Sequence, residues 1–245
     1  MAAEHGESPL HQFTIERLVP IHVGGLDLSY TNSALFMTIA VAAIAAFLLL
    51  STSGARLVPT RWQSAAELSY EFIANMIRDN VGSAGRPYFP FVFSLFMFVL
   101  FGNVIGMIPY SFTYTSHIIV TFAMALFIFI GVTLIGLARH GLHFFSFFAP
   151  KGMPLALQLI LIPIEVLSYV IRPMTLSVRL FANMMAGHTM LLIFSGFVVA
   201  LGILGVFPLA LNIFFILLEL LVAVLQAYVF TILTCIYLND AIHLH

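Results

Sequence analysis

Residues Pro154–Ser195 read PLALQLILIPIEVLSYVIRPMTLSVRLFANMMAGHTMLLIFS, a stretch compatible with helix and without a polar loop to turn the chain. At 1.5 Å per residue such a helix is about 60 Å long, twice the hydrocarbon core of a bilayer. Pro163 and Pro173 interrupt it, yet nothing polar enough for a water-exposed turn follows either of them. Phe207–Asn239 is about 50 Å long by the same arithmetic. Ordinary spans tilt by roughly 20°, which does not absorb this excess. Two broken spans in each stretch would need a loop between Leu155 and Ser195 that is missing. The reading that fits is a hairpin of two long, steeply tilted membrane helices, 154–195 and 207–239, turning near Gly196–Gly205.

The rest of the chain supports a bilayer as its solvent. It has 245 residues, 8% of them charged and 62% hydrophobic. Soluble domains carry roughly a quarter charged residues, so this surface cannot face water throughout. A net charge of −1 gives no electrostatic case for nucleic acid. The single cysteine, Cys235, forms no internal disulfide and offers no metal-site spacing. The first 33 residues hold four acids and one arginine, unlike the basic start of a signal peptide. Residues 1–32 are expected to be a polar tail, and 33–245 a single all-α integral membrane domain.

Three stretches have the length of conventional spans: 33–50, 89–108 and 118–138. Between the first two, 62–82 places Ala65, Ala66, Phe72, Ile73, Met76 and Ile77 at helical spacing. Glu67, Glu71, Asn75, Arg78 and Asp79 alternate with them. This is an amphipathic helix, lying either in the membrane interface or in water against the protein. Arg56, Arg61, Arg78 and Arg86 fall between spans one and two, and Arg139 and Lys151 follow span three. The tail has only Arg17, and Tyr110–His117 has no Lys or Arg. The positive-inside rule therefore sets the N-terminus outside and both basic loops inside.

The long helices each carry a polar seam. Glu165, Arg172 and Arg179 are seven residues apart in turn and Asn183 follows four later, which puts all four on one narrow face. Asn212, Glu219 and Gln226 repeat the spacing on the second helix. His188, nine residues after Arg179, points elsewhere. Between Pro173 and Leu218 the only permanently charged side chain is Arg179. It is either a structural counter-ion to Glu165 or Glu219, or it faces an ion path; intramembrane ionisable groups favour the second reading. Arginine stays protonated, so it can repel cations, block a leak or attract a carboxylate, but it cannot relay protons. His188 and Glu219 are the groups that can exchange them. Asn183 and Gln226 either hydrogen-bond water or tie helix to helix. Glu165 lies toward the inner side, where a second water path could end.

His140, His143, His243 and His245 match no metal motif and read as solvated. No phosphate-cradling loop or nucleophile–base constellation is present, so no catalytic site, cofactor or metal is expected in this chain. A secondary proton or cation antiporter, with the buried acids as its own ion site, is the competing function. The inverted-repeat pattern of such transporters is not visible.

At SVRLFANMMAGH, preceded by IEVLSYVIRPMTL and followed by LELLVAVLQAYVFTILTCIYL, the sequence resembles subunit a of F-type ATP synthases. The resemblance runs from the first span through GNVIGMIP to the C-terminus. It implies a stator subunit without a catalytic site, beside a rotating ring of c subunits, with b-type peripheral-stalk and other synthase subunits as further partners. Two offset half-channels would lead protons to and from the ring carboxylates. Arg179 matches the arginine that faces the ring carboxylate, and Asn183 and Gln226 match polar positions near it. His188 and Glu219 occupy positions where members carry an acid and a histidine in either order, and Glu165 an acidic position of the inner half-channel. Arg172 stands where some members have lysine, and Gly106 where some have an acid. The implied location is a bacterial plasma (inner) membrane, with the mitochondrial inner membrane as alternative.

Overall fold

The computed structural model describes residues 14–20, 22–23, 26–27, 29–54, 58–108, 111–141, 143–144 and 155–243. Arg56, Lys151, Pro154, His245 and the first part of the tail lie outside them. Six long helices make up nearly all of the described chain: α1 (Asn32–Thr52), α2 (Arg61–Asn80), α3 (Phe89–Gly106), α4 (Ile118–His140), α5 (Leu155–Ala200) and α6 (Val206–Ile242). The fold is all-α, and five of these helices, all but α2, are long and apolar enough to cross a membrane.

Composition explains the elements. Helix α1 opens at Thr31, whose hydroxyl accepts from the backbone N–H of Ala34, and α2 opens on Thr60 in the same way. Both follow the preference for a hydroxyl at the N-cap, where it satisfies a donor the helix cannot. Along α2, Ala66, Ile73, Met76 and Ile77 are buried while Glu67, Glu71 and Asp79 are exposed. The tail holds short strands the sequence did not suggest: β1 (Arg17–Val19), β2 (His22–Val23), β3 (Leu26–Asp27) and β4 (Tyr30–Thr31). β1 pairs antiparallel with β4, and β2 with β3. Asn32 ties this hairpin to α1, accepting from the N–H of Glu16 and donating to Thr14 O.

Helix α5 has 46 residues and α6 has 37, or about 69 and 55 Å. α5 runs straight through the sequence positions of Pro163 and Pro173. Proline removes one backbone donor, a loss that membrane helices tolerate where the freed carbonyls find other partners. The turn follows Ala200, within the expected Gly196–Gly205, since Phe197–Ala200 contains nothing that breaks a helix. There the N–H of Leu201 still closes on Phe197 O, and Gly202 adopts a left-handed φ of 55° that starts a short 3-10 turn to Gly205.

The described residues fall into two compact units. The first comprises those of 1–53, 97–117 and 180–227, so it holds the tail hairpin, α1, the end of α3 and the facing parts of α5 and α6 with their turn. Its aromatic contacts include Phe47 with Phe101 and Phe194 with Phe215, at 5.8 and 5.0 Å between ring centres. Leu180, Met184, Ala223 and Ala227 are fully buried in it. The second comprises those of 54–96, 118–179 and 228–245: α2, the start of α3, α4, the first half of α5 and the end of α6. There Phe72 packs on Phe96 and Tyr228, and Tyr169 packs on Phe129 while its hydroxyl bonds Thr133 Oγ1 at 2.7 Å.

Candidate functional site

In the first unit, the part of α5 after Leu180 presents Asn183, Gly187 and His188, and α6 presents Asn212, Glu219 and Gln226. Both helices are apolar around these positions, so each polar group must find a partner within the protein or keep a site for water. His188 Nδ1 bonds Glu219 Oε1, and Asn183 Nδ2 donates to Gln226 Oε1 at 2.9 Å. Glu219 and Gln226 are 5% and 3% exposed, deep enough that any unmet hydrogen bond matters.

The far side of the imidazole decides its protonation. His188 Nε2 lies 2.7 Å from Thr113 Oγ1 and 3.0 Å from Gly106 O. Thr113 itself donates its hydroxyl proton to Gly106 O, at 3.0 Å. A carbonyl only accepts, so this network assigns the hydrogen to Nε2. Nδ1 is left as the nitrogen that gains or loses a proton, and it faces the Glu219 carboxyl. One proton can then sit on either partner, giving imidazolium with carboxylate or imidazole with carboxylic acid. The imidazole ring need not turn between the two states.

Several polar atoms around this pair retain hydrogen-bonding capacity. Glu219 Oε2, Gln226 Nε2, Asn212 Oδ1 and Asn103 Oδ1 are buried and reach no protein partner among the described residues. Three of the four stand seven residues apart on α6, a step of about 10.5 Å, which water could bridge. Asn103, fully buried on α3, donates from Nδ2 to Ala223 O, one turn from Glu219. Gly187 provides the room for the carboxyl group: a Cβ there would lie 2.7 Å from Glu219 Oε1 and 2.9 Å from its Cδ.

The second unit holds the remaining ionisable groups of α5. Arg179 is exposed and makes no ion pair or side-chain hydrogen bond among the described residues. Neither carboxylate considered as its counter-ion takes that role. Glu165 is half-exposed, also without a side-chain partner among the described residues. Arg172, one seam position from Arg179, has a different fate. Its Nη1 pairs with Asp240 Oδ2 at 2.9 Å, and its guanidinium stands 5.4 and 5.2 Å from the ring centres of Tyr169 and Tyr237. That charge is neutralised and sandwiched between aromatic faces, so the regular seam conceals two unlike arginines. His140, read as solvated, donates from Nε2 to Ile242 O at 3.1 Å and ties α4 to the end of α6.

Sequence reasoning missed Asp240, Thr113, Asn103 and the Gly106 carbonyl. Asp240 could have been singled out, because Glu165, Glu219 and Asp240 are the only carboxylate side chains after residue 100. The hydroxyl-rich run Ser111–Ser116 was a weaker sign that a polar group was to be met nearby. Nothing in the sequence points to a backbone carbonyl as a partner.

Titratable groups kept at membrane depth on apolar helices belong to multi-pass proteins that move ions. Over residues 34–239 the chain matches the family model described as ATP synthase A chain. It is 58% identical to "ATP synthase subunit a" of Paramagnetospirillum magneticum, over 97% of this chain and 99% of that protein. Proteins of the same description from Mesorhizobium japonicum and Rhodospirillum rubrum are 56% and 58% identical, over 99% and 97% of this chain and 99% of each relative. The chain belongs to the ATP synthase A chain family.

Proposed function

We propose that this chain is the proton-conducting stator subunit in the membrane sector of an F-type ATP synthase, coupling proton flow to rotation of a c-subunit ring and to ATP synthesis. The observation that carries the reading is Arg179: a permanent charge in an apolar helix, exposed and without a counter-ion among the described residues. A charge in that condition calls for an anionic partner outside the chain, and a ring carboxylate meets the requirement. The membrane-length helices and the family membership support the same reading. The competing antiporter needs its ion site within this chain and has no comparable support.

In the proposed cycle a proton enters from the outer side along His188, Glu219, Asn183 and Gln226. It neutralises a ring carboxylate, which can then face lipid without the cost of a bare charge. Rotation carries another protonated carboxyl to the inner path at Glu165, where its proton leaves. The anion formed is drawn to Arg179 and passes it. The fixed positive charge keeps the two paths apart, since a hydrated proton would have to cross it. The membrane potential contributes about 2.3 kcal/mol per charge per 100 mV.

The tail of residues 1–32 lies outside, the domain of 33–245 sits in a bacterial inner membrane, and α2 rests in its inner interface. α5 and α6 lie steeply tilted along the curved ring, which gives their unusual length a use. B-type stalk subunits hold the chain against rotation. Purification from membranes in mild detergent is expected to bring down a small proteolipid ring together with this chain; recovery of the chain alone, active in cation-coupled proton exchange, would support the antiporter instead.

Gly187→Ala tests the outer path without touching a titratable group. The new methyl group displaces the Glu219 carboxyl from His188. Loss of one charge-assisted hydrogen bond is worth about tenfold in an equilibrium, and proton pumping in membrane vesicles is expected to fall by about that factor, with normal amounts of assembled complex. Unchanged pumping would separate the His188–Glu219 contact from transport.

A further inference from the structure

The short connection between α2 and α3 builds a cavity that the proton path does not use. It has a volume of about 550 Å³, in the range of small-ligand sites. Arg78, Arg86 and Ser83 line its polar part, and Tyr70, Phe89 and Pro90 its apolar part. The two arginines make no ion pair or side-chain hydrogen bond among the described residues. None of the α2 acids (Glu67, Glu71, Asp79) lines the cavity. Two unneutralised guanidinium groups on one concave wall repel each other and favour an anion between them.

The turn geometry holds that wall in place. Gly82 takes a φ of 76°, which reverses the chain after α2. Gly85 then packs so closely that a Cβ would lie 2.7 Å from Ile77 Cγ2 and 2.8 Å from Val81 Cβ. Arg78, before the turn, and Arg86, after it, are thereby brought to the same cavity by tight local packing.

We propose that this cavity binds the phosphate of an anionic phospholipid. Arginine forks match phosphate oxygens, often with two parallel hydrogen bonds. The cavity also stands at the head of α3, which continues for 18 residues without a charge, so its level is where headgroups meet hydrocarbon. Tyr70 packs on Phe89 at 4.6 Å and Phe89 on Phe93 at 5.6 Å between ring centres, an aromatic layer of the kind found at that depth. A free phosphate would leave the apolar half of the cavity uncovered. A phospholipid covers both halves, with its phosphate on Arg78 and Arg86 and its acyl chains along α3. A choline headgroup would set a cation against two others, so the site selects lipids of net negative charge. Basic pockets beside membrane helices bind such headgroups elsewhere. This inference needs only the membrane level of α3; it stands whether or not the proton path is as described.

The test uses the intact complex solubilised in mild detergent, titrated with phosphatidylglycerol, cardiolipin or phosphatidylcholine and read by native mass spectrometry. Anionic lipid is expected to be retained by the wild type. Each of Arg78→Gln and Arg86→Gln should weaken retention about fivefold and the double substitution about 25-fold. The Arg→Lys pair, which keeps the charge, should recover most of it and guards against misfolding of the double Gln variant. Phosphatidylcholine should not distinguish the variants, and millimolar inorganic phosphate should not displace the lipid. Equal retention of anionic lipid by wild type and double variant would overturn the proposal. So would displacement by inorganic phosphate, which would mark a free-anion site. Loss of a neighbouring subunit with lipid retention unchanged would overturn it too, in favour of an acidic protein segment.

Discussion

Arg179→Ala is expected to abolish ATP-driven proton pumping in inverted membrane vesicles while the complex still assembles. The guanidinium is exposed and makes no ion pair among the described residues, so its removal leaves no buried carboxylate of this chain without a counter-ion. Little change in the stability of the isolated chain should follow. The effect on transport should be large, because the ring carboxylate would have to pass the stator as a bare anion in a medium of low dielectric. Truncating one member of such a pair costs about 2–5 kcal/mol, or about 30- to 5,000-fold in rate. A second readout separates this role from a structural one. With the fixed charge gone, the barrier between the two water paths is lowered, and passive proton leak through the membrane sector should rise. Pumping at normal strength in the Ala variant would sink the proposed role.

Exchanging the pair is the second large test. His188→Ala or Glu219→Ala alone removes one member of a buried, directly bonded couple. Each is expected to lower proton pumping about 150- to 5,000-fold, since breaking a buried pair by deleting one partner costs about 3–5 kcal/mol. The single exchanges, His188→Glu and Glu219→His, place two like groups together and should be comparably poor. Combined, they restore an acid facing an imidazole, and pumping should return to within about tenfold of the wild type, a coupling that a double-mutant cycle measures. Full recovery is not expected. A carboxylate introduced at 188 cannot donate to the Gly106 carbonyl, and the Thr113 hydroxyl must turn away from that carbonyl to serve it. Adding Thr113→Val to the exchanged pair should therefore reduce activity further. If the double exchange is worse than both single ones, the two residues do not act as a couple.

The membrane character of the chain and its unusual helices were legible because they depend on local properties. Helix length follows from the run of residues without a polar loop to turn the chain, so α5 and α6 could be seen near their extent despite the prolines in α5. The turn falls within the expected Gly196–Gly205: Gly196 is still a helix residue, and the chain turns at Gly202, where a left-handed backbone is needed. Seven-residue spacing likewise found the polar groups of both helices from the sequence. It could not tell Arg172 from Arg179, since both lie on the same seam. The difference is that Asp240 pairs with Arg172 alone, whose guanidinium also stands over the rings of Tyr169 and Tyr237. Arg78 and Arg86 were legible as charges that orient a loop; their meeting in one cavity required the folded turn.

An all-α multi-pass protein and the position of each rare ionisable group along its helix were readable from the sequence, while the facing of an acid and a histidine on the two long helices was only implied by the family resemblance. The first two follow from the 3.6-residue period and from the cost of charge in hydrocarbon, and both are read from neighbours along the chain. Packing in space settles which nitrogen of His188 faces Glu219, which arginine is neutralised and which stands open, and where two loop arginines share a wall. Those outcomes depend on a backbone carbonyl at Gly106, a hydroxyl at Thr113 and an acid at Asp240, all far away in sequence. Hydrogen bonds and ion pairs act over a few ångströms of space, and the periodicity of one helix carries no information about what packing places within that distance.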